Sequence, residues 1–194
     1  MTHSDITVAI TGGIGSGKSV VSRILTAMGF AVYDCDRNAR NLMDGDDEIK
    51  RLIAEQISRD VIEEGTINRR KLAEIVFNDS VMLERLNSIV HASVREHFTE
   101  YRKNHSGIVF FETAILAESG FDSLAGRVWE VIAPMELRIE RVMRRNNMTR
   151  TEVEARIASQ SQSSAALLHP AVDTIVNDGV TSLLQQVTKL LQIL

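Results

Sequence analysis

A glycine-rich segment near the start of the chain constrains its fold more than any other feature. Residues 12–19 read GGIGSGKS and fit the phosphate-loop pattern G-x-x-x-x-G-K-[ST] at every fixed position. A β-branched run at 6–11 precedes this segment and predicts a strand, and a periodic apolar run that begins at Val20 predicts a helix. A dinucleotide-binding fingerprint is excluded because Lys18 stands where that pattern requires glycine.

The order strand, loop and helix predicts how a phosphate is held. Glycines let the backbone wrap around an anion, and the loop N–H groups and the helix N-terminus attract its charge. In such loops the lysine reaches the β- and γ-phosphates and the next hydroxyl binds Mg²⁺, which assigns these roles to Lys18 and Ser19. The predicted nucleotide-binding residues of this segment are Gly13, Ile14, Gly15, Ser16, Gly17, Lys18, Ser19 and Val20.

Composition is typical of a single globular domain. The chain has 194 residues, of which 44% are hydrophobic and 25% are charged, so we expect one compact domain over 1–194. A net charge of −4 disfavours nucleic acid as a partner, and no apolar run reaches the roughly 20 residues of a membrane span. The N-terminal residues form no basic, apolar leader and the chain has a single cysteine, so we expect a cytoplasmic location. We expect Cys35 to be a small buried residue rather than a nucleophile.

Alternating strand-like and helical segments predict an α/β fold with a five-stranded, mostly parallel sheet flanked by helices. Residues 46–104 interrupt this alternation with helical periodicity and no strand-like run, which predicts an inserted helical region that binds a substrate or only packs. An apolar stripe from Val180 to Leu194 predicts a C-terminal helix packed on the core. The runs predicted as strands are 6–11, 31–33, 108–111, 127–133 and 174–176.

Acidic residues follow two of the predicted strands. Asp34 and Asp36 come after the second strand, and ligands bind outside the carboxyl ends of parallel strands. A carboxylate there accepts the proton of an attacking hydroxyl or holds Mg²⁺ through water. The alternative is helix capping, with Asp36 capping a helix that begins at Arg37. Glu112 ends the third strand and is a further candidate for a position near the metal.

Basic residues form two further candidate groups. Arg141 and Arg145 are four residues apart in an arginine-rich stretch and so share a helix face. Guanidinium groups stabilise the charge on a transferring phosphoryl group. The alternative for this cluster, which extends to Arg150, is a solvated surface paired with Glu140 or Glu136. His91 and Arg95, also four apart, either contact an anionic substrate or lie on the surface of the inserted region.

These segments resemble the dephospho-coenzyme A kinase family over nearly the whole chain. The family's extended phosphate loop, T-G-G-I-G-S-G-K-[ST], is reproduced at 11–19, and its D-x-D followed by A-R appears at 34–40. The pattern L-N-x-x-[LV]-H-x-x-[IV]-R appears at 86–95, and the lid pattern R-x-x-x-R maps onto Arg141 and Arg145. A shorter match to A-x-Q lies at 158–160, and V-x-N-[DS]-G is matched loosely at 176–179, where Asn177 directly follows Val176.

The resemblance implies a P-loop kinase-like fold with an inserted helical acceptor-binding region at 46–104 and a small helical lid at 141–168. It also implies transfer of the ATP γ-phosphoryl group to the ribose 3′-hydroxyl of dephospho-CoA, the last step of coenzyme A biosynthesis. Asp36 is then the catalytic base, supported by Asp34. The residues implied to bind the two substrates are Arg40, His91 and Arg95 for the acceptor, and Arg141, Arg145 and Asn177 for ATP, with Asn177 near the adenine.

Departures from the family pattern and two rival functions remain open at this point. The family's P-L-L-[FL]-E after the third strand is replaced by TAILAE at 113–118, and Ala92 stands where the family has proline. A shikimate-type kinase also has D-x-D after the second strand, but it carries a glycine triplet after the third that this chain lacks. A nucleotide-dependent switch of the GTPase type needs [NT]-K-x-D, which is missing from the sequence.

Overall fold

The computed structural model describes residues 5–160 and 169–194. The chain divides into two compact units, one formed by Met1–Tyr33 with His105–Leu194 and the other by Asp34–Asn104. The helices and strands, in chain order, are β1 (Ile6–Thr11), α1 (Lys18–Ala27), β2 (Ala31–Asp34), α2 (Cys35–Gly45), α3 (Asp47–Gln56), β3 (Ile62–Glu63), β4 (Thr66–Ile67), α4 (Arg69–Phe77), α5 (Ser80–Lys103), β5 (Ile108–Glu112), β6 (Arg127–Ile132), α6 (Met135–Asn146), α7 (Arg150–Ser159), β7 (Val172–Val176) and α8 (Leu183–Leu191).

The main sheet has five strands in the order β2-β5-β1-β6-β7. The β1 strand pairs in parallel with both β5 and β6, and β6 pairs in parallel with β7. The apolar runs of β1 and β5 are buried because a parallel sheet is covered on both faces. This confirms the predicted α/β class and the number of strands in the main sheet, with strand boundaries that differ from the prediction by at most two residues.

The core of the first unit lies where α1 and α8 pack together and against the sheet. Val21 and Leu25 of α1 and Val187 of α8 are fully buried with Trp129 of β6. The predicted C-terminal stripe is wrong at two positions, since Val180 is 91% exposed and Leu184 is 54% exposed. The helix begins only at Leu183, after a turn in which the Asp178 carboxylate accepts the N–H groups of Val180 and Thr181.

The second unit builds its own apolar core from helices. Its buried cluster contains Ile49 and Ile53 of α3, Leu72 and Val76 of α4, and Ile89 of α5. The predicted absence of strands from 46–104 is wrong, because Ile62–Glu63 and Thr66–Ile67 form a two-residue antiparallel ladder. Glu64 and Gly65, both with positive φ, make the turn, and strands this short leave no alternation to detect in the sequence.

Within the part of the chain that the structure describes, no helix combines the length and the apolar character that crossing a membrane requires.

Candidate active site

The loop between β1 and α1 has the backbone of a phosphate-binding loop. Gly12 and Gly17 have φ values of 141° and 100°, which side-chain-bearing residues rarely adopt. A Cβ atom at Gly12 would lie 2.2 Å from the carbonyl oxygen of Val131, so the space is closed as well. Gly17 is the N-cap of α1 and has no side chain with which to cap it, so the first-turn amides of α1 suit an anionic ligand.

The polar side chains of the loop differ in how they are placed. Lys18 Nζ lies back over the loop and donates to the carbonyl oxygen of Gly12 at 2.8 Å. Ser19 is exposed on the first turn of α1. Ser16 is 1% exposed, and among the described residues its Oγ has no hydrogen-bond partner. The loop therefore presents a cation and an accessible hydroxyl side by side, as phosphate and Mg²⁺ binding require.

Helix α6 supplies two arginines to this loop. Arg141 Nη1 donates to the carbonyl oxygen of Gly15 at 3.4 Å, and Arg138 Nε donates to that of Ile14 at 2.9 Å. Burial lowers the pKa of the Arg138 guanidinium from its usual value, and the group remains a cation. Arg138 was not among the predicted site residues, although its position three residues before Arg141 places both on one helix face.

Asn177 joins the loop to Arg141. Its Nδ2 donates to the carbonyl oxygen of Ser16 at 2.7 Å, and its Oδ1 accepts from Arg141 Nη2 at 3.1 Å. The Asn177 N–H donates to the carbonyl oxygen of Ile132, the last residue of β6. The side chain of Asn177 thus connects the phosphate loop to α6, and its backbone N–H ties the residue to the end of β6. A position of Asn177 near adenine stays a prediction.

The other arginines of the predicted lid lie on the surface. Arg145 Nε donates to Asn146 Oδ1 at 2.8 Å on an exposed stretch of α6. Arg150 pairs with Glu136 and Glu154, and these two carboxylates raise the pKa of its guanidinium. For Arg150 the structure therefore supports the alternative of a solvated, glutamate-paired surface.

Glu112 lies beside the start of the phosphate loop. It ends β5 opposite Ile10 of β1, and the Ser22 hydroxyl of α1 donates to Glu112 Oε2 at 2.7 Å. This carboxylate ties α1 to the sheet. Among the residues that the structure describes, no cluster of three or more His, Cys, Asp or Glu side chains is arranged to hold a metal ion.

In the second unit the two acids of the D-x-D segment have different roles. The capping prediction named the wrong acid: α2 begins at Cys35, and Asp34 is its N-cap, accepting the N–H of Arg37 at 2.9 Å. Helix formation starts two residues earlier than predicted because the strand ends directly in the cap. Asp36 lies in the first turn of α2 and is exposed, while Cys35 is buried as predicted.

The predicted acceptor-binding residues lie on two neighbouring helices of the second unit. Asp36 and Arg40 are one turn apart on α2, and His91 and Arg95 are one turn apart on α5. Helices α2 and α5 pack against each other. The fold of this unit therefore brings residues that are about fifty positions apart in the chain onto adjacent elements.

Comparisons with known proteins agree with this geometry. The family model for dephospho-CoA kinase matches residues 6–183. The dephospho-CoA kinase of Porphyromonas gingivalis is 37% identical over 188 residues, covering 96% of this chain and 93% of the relative. A crystal structure of a Thermus thermophilus protein has a TM-score of 0.81 at 33% identity, covering 98% of this chain and 97% of that one.

A second solved structure supports the fold alone. The dephospho-CoA kinase from Campylobacter jejuni has a TM-score of 0.65 at 24% identity, covering 96% of this chain and 95% of that chain. The family match is itself nearly full-length, and it includes both the phosphate loop and the D-x-D segment. The chain therefore belongs to the dephospho-CoA kinase family of P-loop kinases.

Proposed function

We propose that this chain transfers the γ-phosphoryl group of ATP to the ribose 3′-hydroxyl of dephospho-CoA, with Asp36 as the base. The observation that carries the proposal is the loop between β1 and α1, which has phosphate-binding geometry in a chain of the dephospho-CoA kinase family. The substrates are small molecules, and the reaction suits the reducing cytoplasm expected from a chain whose single cysteine is Cys35.

On the nucleotide side, Lys18 and the amides of the loop hold the phosphates of ATP. Arg141, already placed at the carbonyl oxygen of Gly15, stabilises the charge that develops on the transferring group, and Arg145 closes over the nucleotide. Asn177 keeps Arg141 in place and lies toward the adenine. These residues position the reacting groups and stabilise the negative charge of the transition state, which are the main ways in which phosphoryl transfer is catalysed.

Ser19 is suited to a magnesium ion carried by the nucleotide. Mg²⁺ binds few protein oxygens and completes its shell with phosphate oxygens and water, so one accessible hydroxyl next to Lys18 is sufficient. The ion would neutralise charge on the β- and γ-phosphates.

On the acceptor side, Asp36 takes the proton of the ribose 3′-hydroxyl. The hydroxyl oxygen bonds to the γ-phosphorus of ATP as the bond between that phosphorus and the ADP oxygen breaks. Asp34, fixed by its cap on α2, supports the orientation of that segment. Arg40, His91 and Arg95 bind the anionic acceptor from α2 and α5. The region 46–104 then serves in acceptor binding, and 141–168 serves as a lid, with 161–168 outside the described residues.

The test measures ADP release with dephospho-CoA, shikimate, adenosine and AMP as acceptors. We expect turnover with dephospho-CoA only, and Asp36→Asn to reduce it about 10²- to 10⁴-fold while ATP affinity stays near normal, because only a proton acceptor is removed. Asp44→Asn, at an exposed acid near the end of α2 that pairs with Arg69, is the matched control and should leave the rate unchanged. Near-full turnover by Asp36→Asn would reject the base assignment, and preference for another acceptor would reject the substrate.

A further inference from the structure

One residue of the phosphate loop, Ile14, is held at three points by the helix pair α6–α7. Its side chain packs on the buried cluster of Ile139, Val142 and Val153. Its carbonyl oxygen accepts from Arg138 Nε at 2.9 Å. Its N–H donates to Gln160 Oε1 at 2.7 Å. Both backbone polar groups of Ile14 are thus bonded to side chains that lie more than a hundred residues away in the chain.

The glycines on either side of Ile14 show how closely α6 approaches the loop. A Cβ atom at Gly13 would lie 2.3 Å from Arg138 Nη2, and one at Gly15 would lie 2.6 Å from the carbonyl oxygen of Arg138. The phosphate-loop pattern leaves both positions open to any residue. Beyond what the general pattern requires, glycine at 15 therefore leaves room for the α6 backbone, and glycine at 13 leaves room for the Arg138 guanidinium group.

We infer that Gln160 is a positioning residue for ATP binding, acting through the N–H of Ile14. A loop rich in glycine loses much conformational entropy when it becomes ordered around a ligand. Bonds that order the loop beforehand remove part of this cost from binding. Gln160 and Arg138 together fix the orientation of the peptide groups on both sides of Ile14. Arg138 is a cation and could also attract a phosphate directly, whereas Gln160 is uncharged.

The inference rests on the proposed function only in taking ATP as the ligand of the loop. While its N–H donates to Gln160, Ile14 contributes to the site through loop shape and does not donate to a phosphate oxygen. This refines its predicted place among the nucleotide-binding residues. The alternative role for Gln160 is that of a competitor, which ATP must displace from the Ile14 N–H. Removing a competitor would strengthen ATP binding, whereas removing a positioning residue would weaken it.

The test replaces Gln160 with Met, which keeps the length of the side chain and removes the acceptor. Hydrogen exchange measured on peptides covering 12–17 reports the Ile14 amide directly, and we expect it to exchange at least about tenfold faster in Gln160→Met. The dissociation constant of a non-hydrolysable ATP analogue should rise about three- to tenfold, the effect of one hydrogen bond. Turnover at saturating ATP should change less than the KM for ATP.

Gln192→Met, the same change at an exposed position after α8, is the matched control and should alter none of these values. Gln160→Asn, which keeps the amide but shortens its reach, should behave like Gln160→Met. Unchanged exchange at Ile14, or tighter binding of the analogue by Gln160→Met, would overturn the inference. Failure of the wild-type chain to phosphorylate dephospho-CoA would instead reject the proposed function, because exchange and analogue binding are measured without the acceptor.

Discussion

Single residues of the phosphate loop carry constraints of two kinds. Gly12 and Gly17 are required by the motif, and in the structure both have positive φ and face atoms that leave no room for a Cβ. Gly15 also has positive φ and faces the backbone of α6 at Arg138, whereas Gly13 faces only the guanidinium group of the Arg138 side chain. A Cβ added at Gly12, Gly17 or Gly15 would therefore meet a different neighbour in each case, namely β6, Asn177 or α6.

Gly17→Ala is predicted to weaken both ATP binding and stability. The added Cβ would lie 2.0 Å from Asn177 Nδ2, at a residue whose φ is 100°. Strain and overpacking of this kind cost about 1–3 kcal/mol of unfolding free energy. Urea unfolding measures that cost. Gly45→Ala is the matched control, since a Cβ there meets nothing within 4 Å and the substitution lies at the end of α2. Equal stabilities of the two variants would contradict the prediction.

At the scale of elements, α7 shows how a helix is set in place for the residue that follows it. Thr149 and Glu152 form a capping box, in which the Glu152 carboxylate accepts from both the hydroxyl and the N–H of Thr149. The box fixes the start of the helix, and buried Val153 fixes its apolar face against α6. Gln160 comes directly after the last residue of this helix and meets Ile14 from there.

The capping box predicts a pH dependence of stability. The Thr149 hydroxyl, and then its N–H, hold the pKa of Glu152 below its ordinary value of 4.5. Because the folded pKa is depressed, the stabilisation is present above 4.5 and is lost as the pH falls through the lower folded value. The wild type should therefore be more stable than Glu152→Gln at neutral pH, and the two should converge in acid below 4.5.

Denaturant midpoints of both proteins across this pH range measure the effect. Thr149→Val serves as the control because it removes one of the two donors to Glu152, so the difference made by Glu152→Gln should shrink in that background. A difference between wild type and Glu152→Gln that does not vary with pH would show that charge at Glu152 has no part in the cap.

For the molecule as a whole, two compact units with separate buried clusters share one chain. The phosphate loop, Arg138, Arg141, Asn177 and Gln160 all belong to the first unit. Asp36 and the predicted acceptor-binding residues belong to the second. The proposed ATP-binding residues all lie within the first unit, so they can be tested by ATP alone, without the acceptor.

Mg²⁺-ATP is predicted to stabilise the folded chain by mass action. At a ligand concentration of 100 times Kd the gain is about 2.7 kcal/mol, seen as a higher Tm. Lys18→Ala should lose most of this shift, because it removes the cation nearest the loop. Lys189→Ala, at an exposed lysine of α8, should keep it. A shift in Lys18→Ala equal to that of the wild type would contradict the loop assignment.

The alternation of strands and helices, the phosphate loop and the family were all predictable from the sequence. Each is written in contiguous residues or in short periods, where backbone geometry relates neighbours directly. Such local patterns failed at two places. The strands of the β3–β4 hairpin are too short to show a period, and Val180 is exposed because it lies in a turn before α8.

The surroundings of the loop depended instead on how the chain packs. Arg138 and Gln160 bond to Ile14 across 124 and 146 residues, and Asn177 bonds to Ser16 across 161. No spacing rule connects such distant positions, because their approach depends on where α6, α7 and β7 settle against β1 and its loop. The phosphate-loop motif could thus be identified from the chain alone, whereas the residues that hold the loop in shape emerged only from the packed fold.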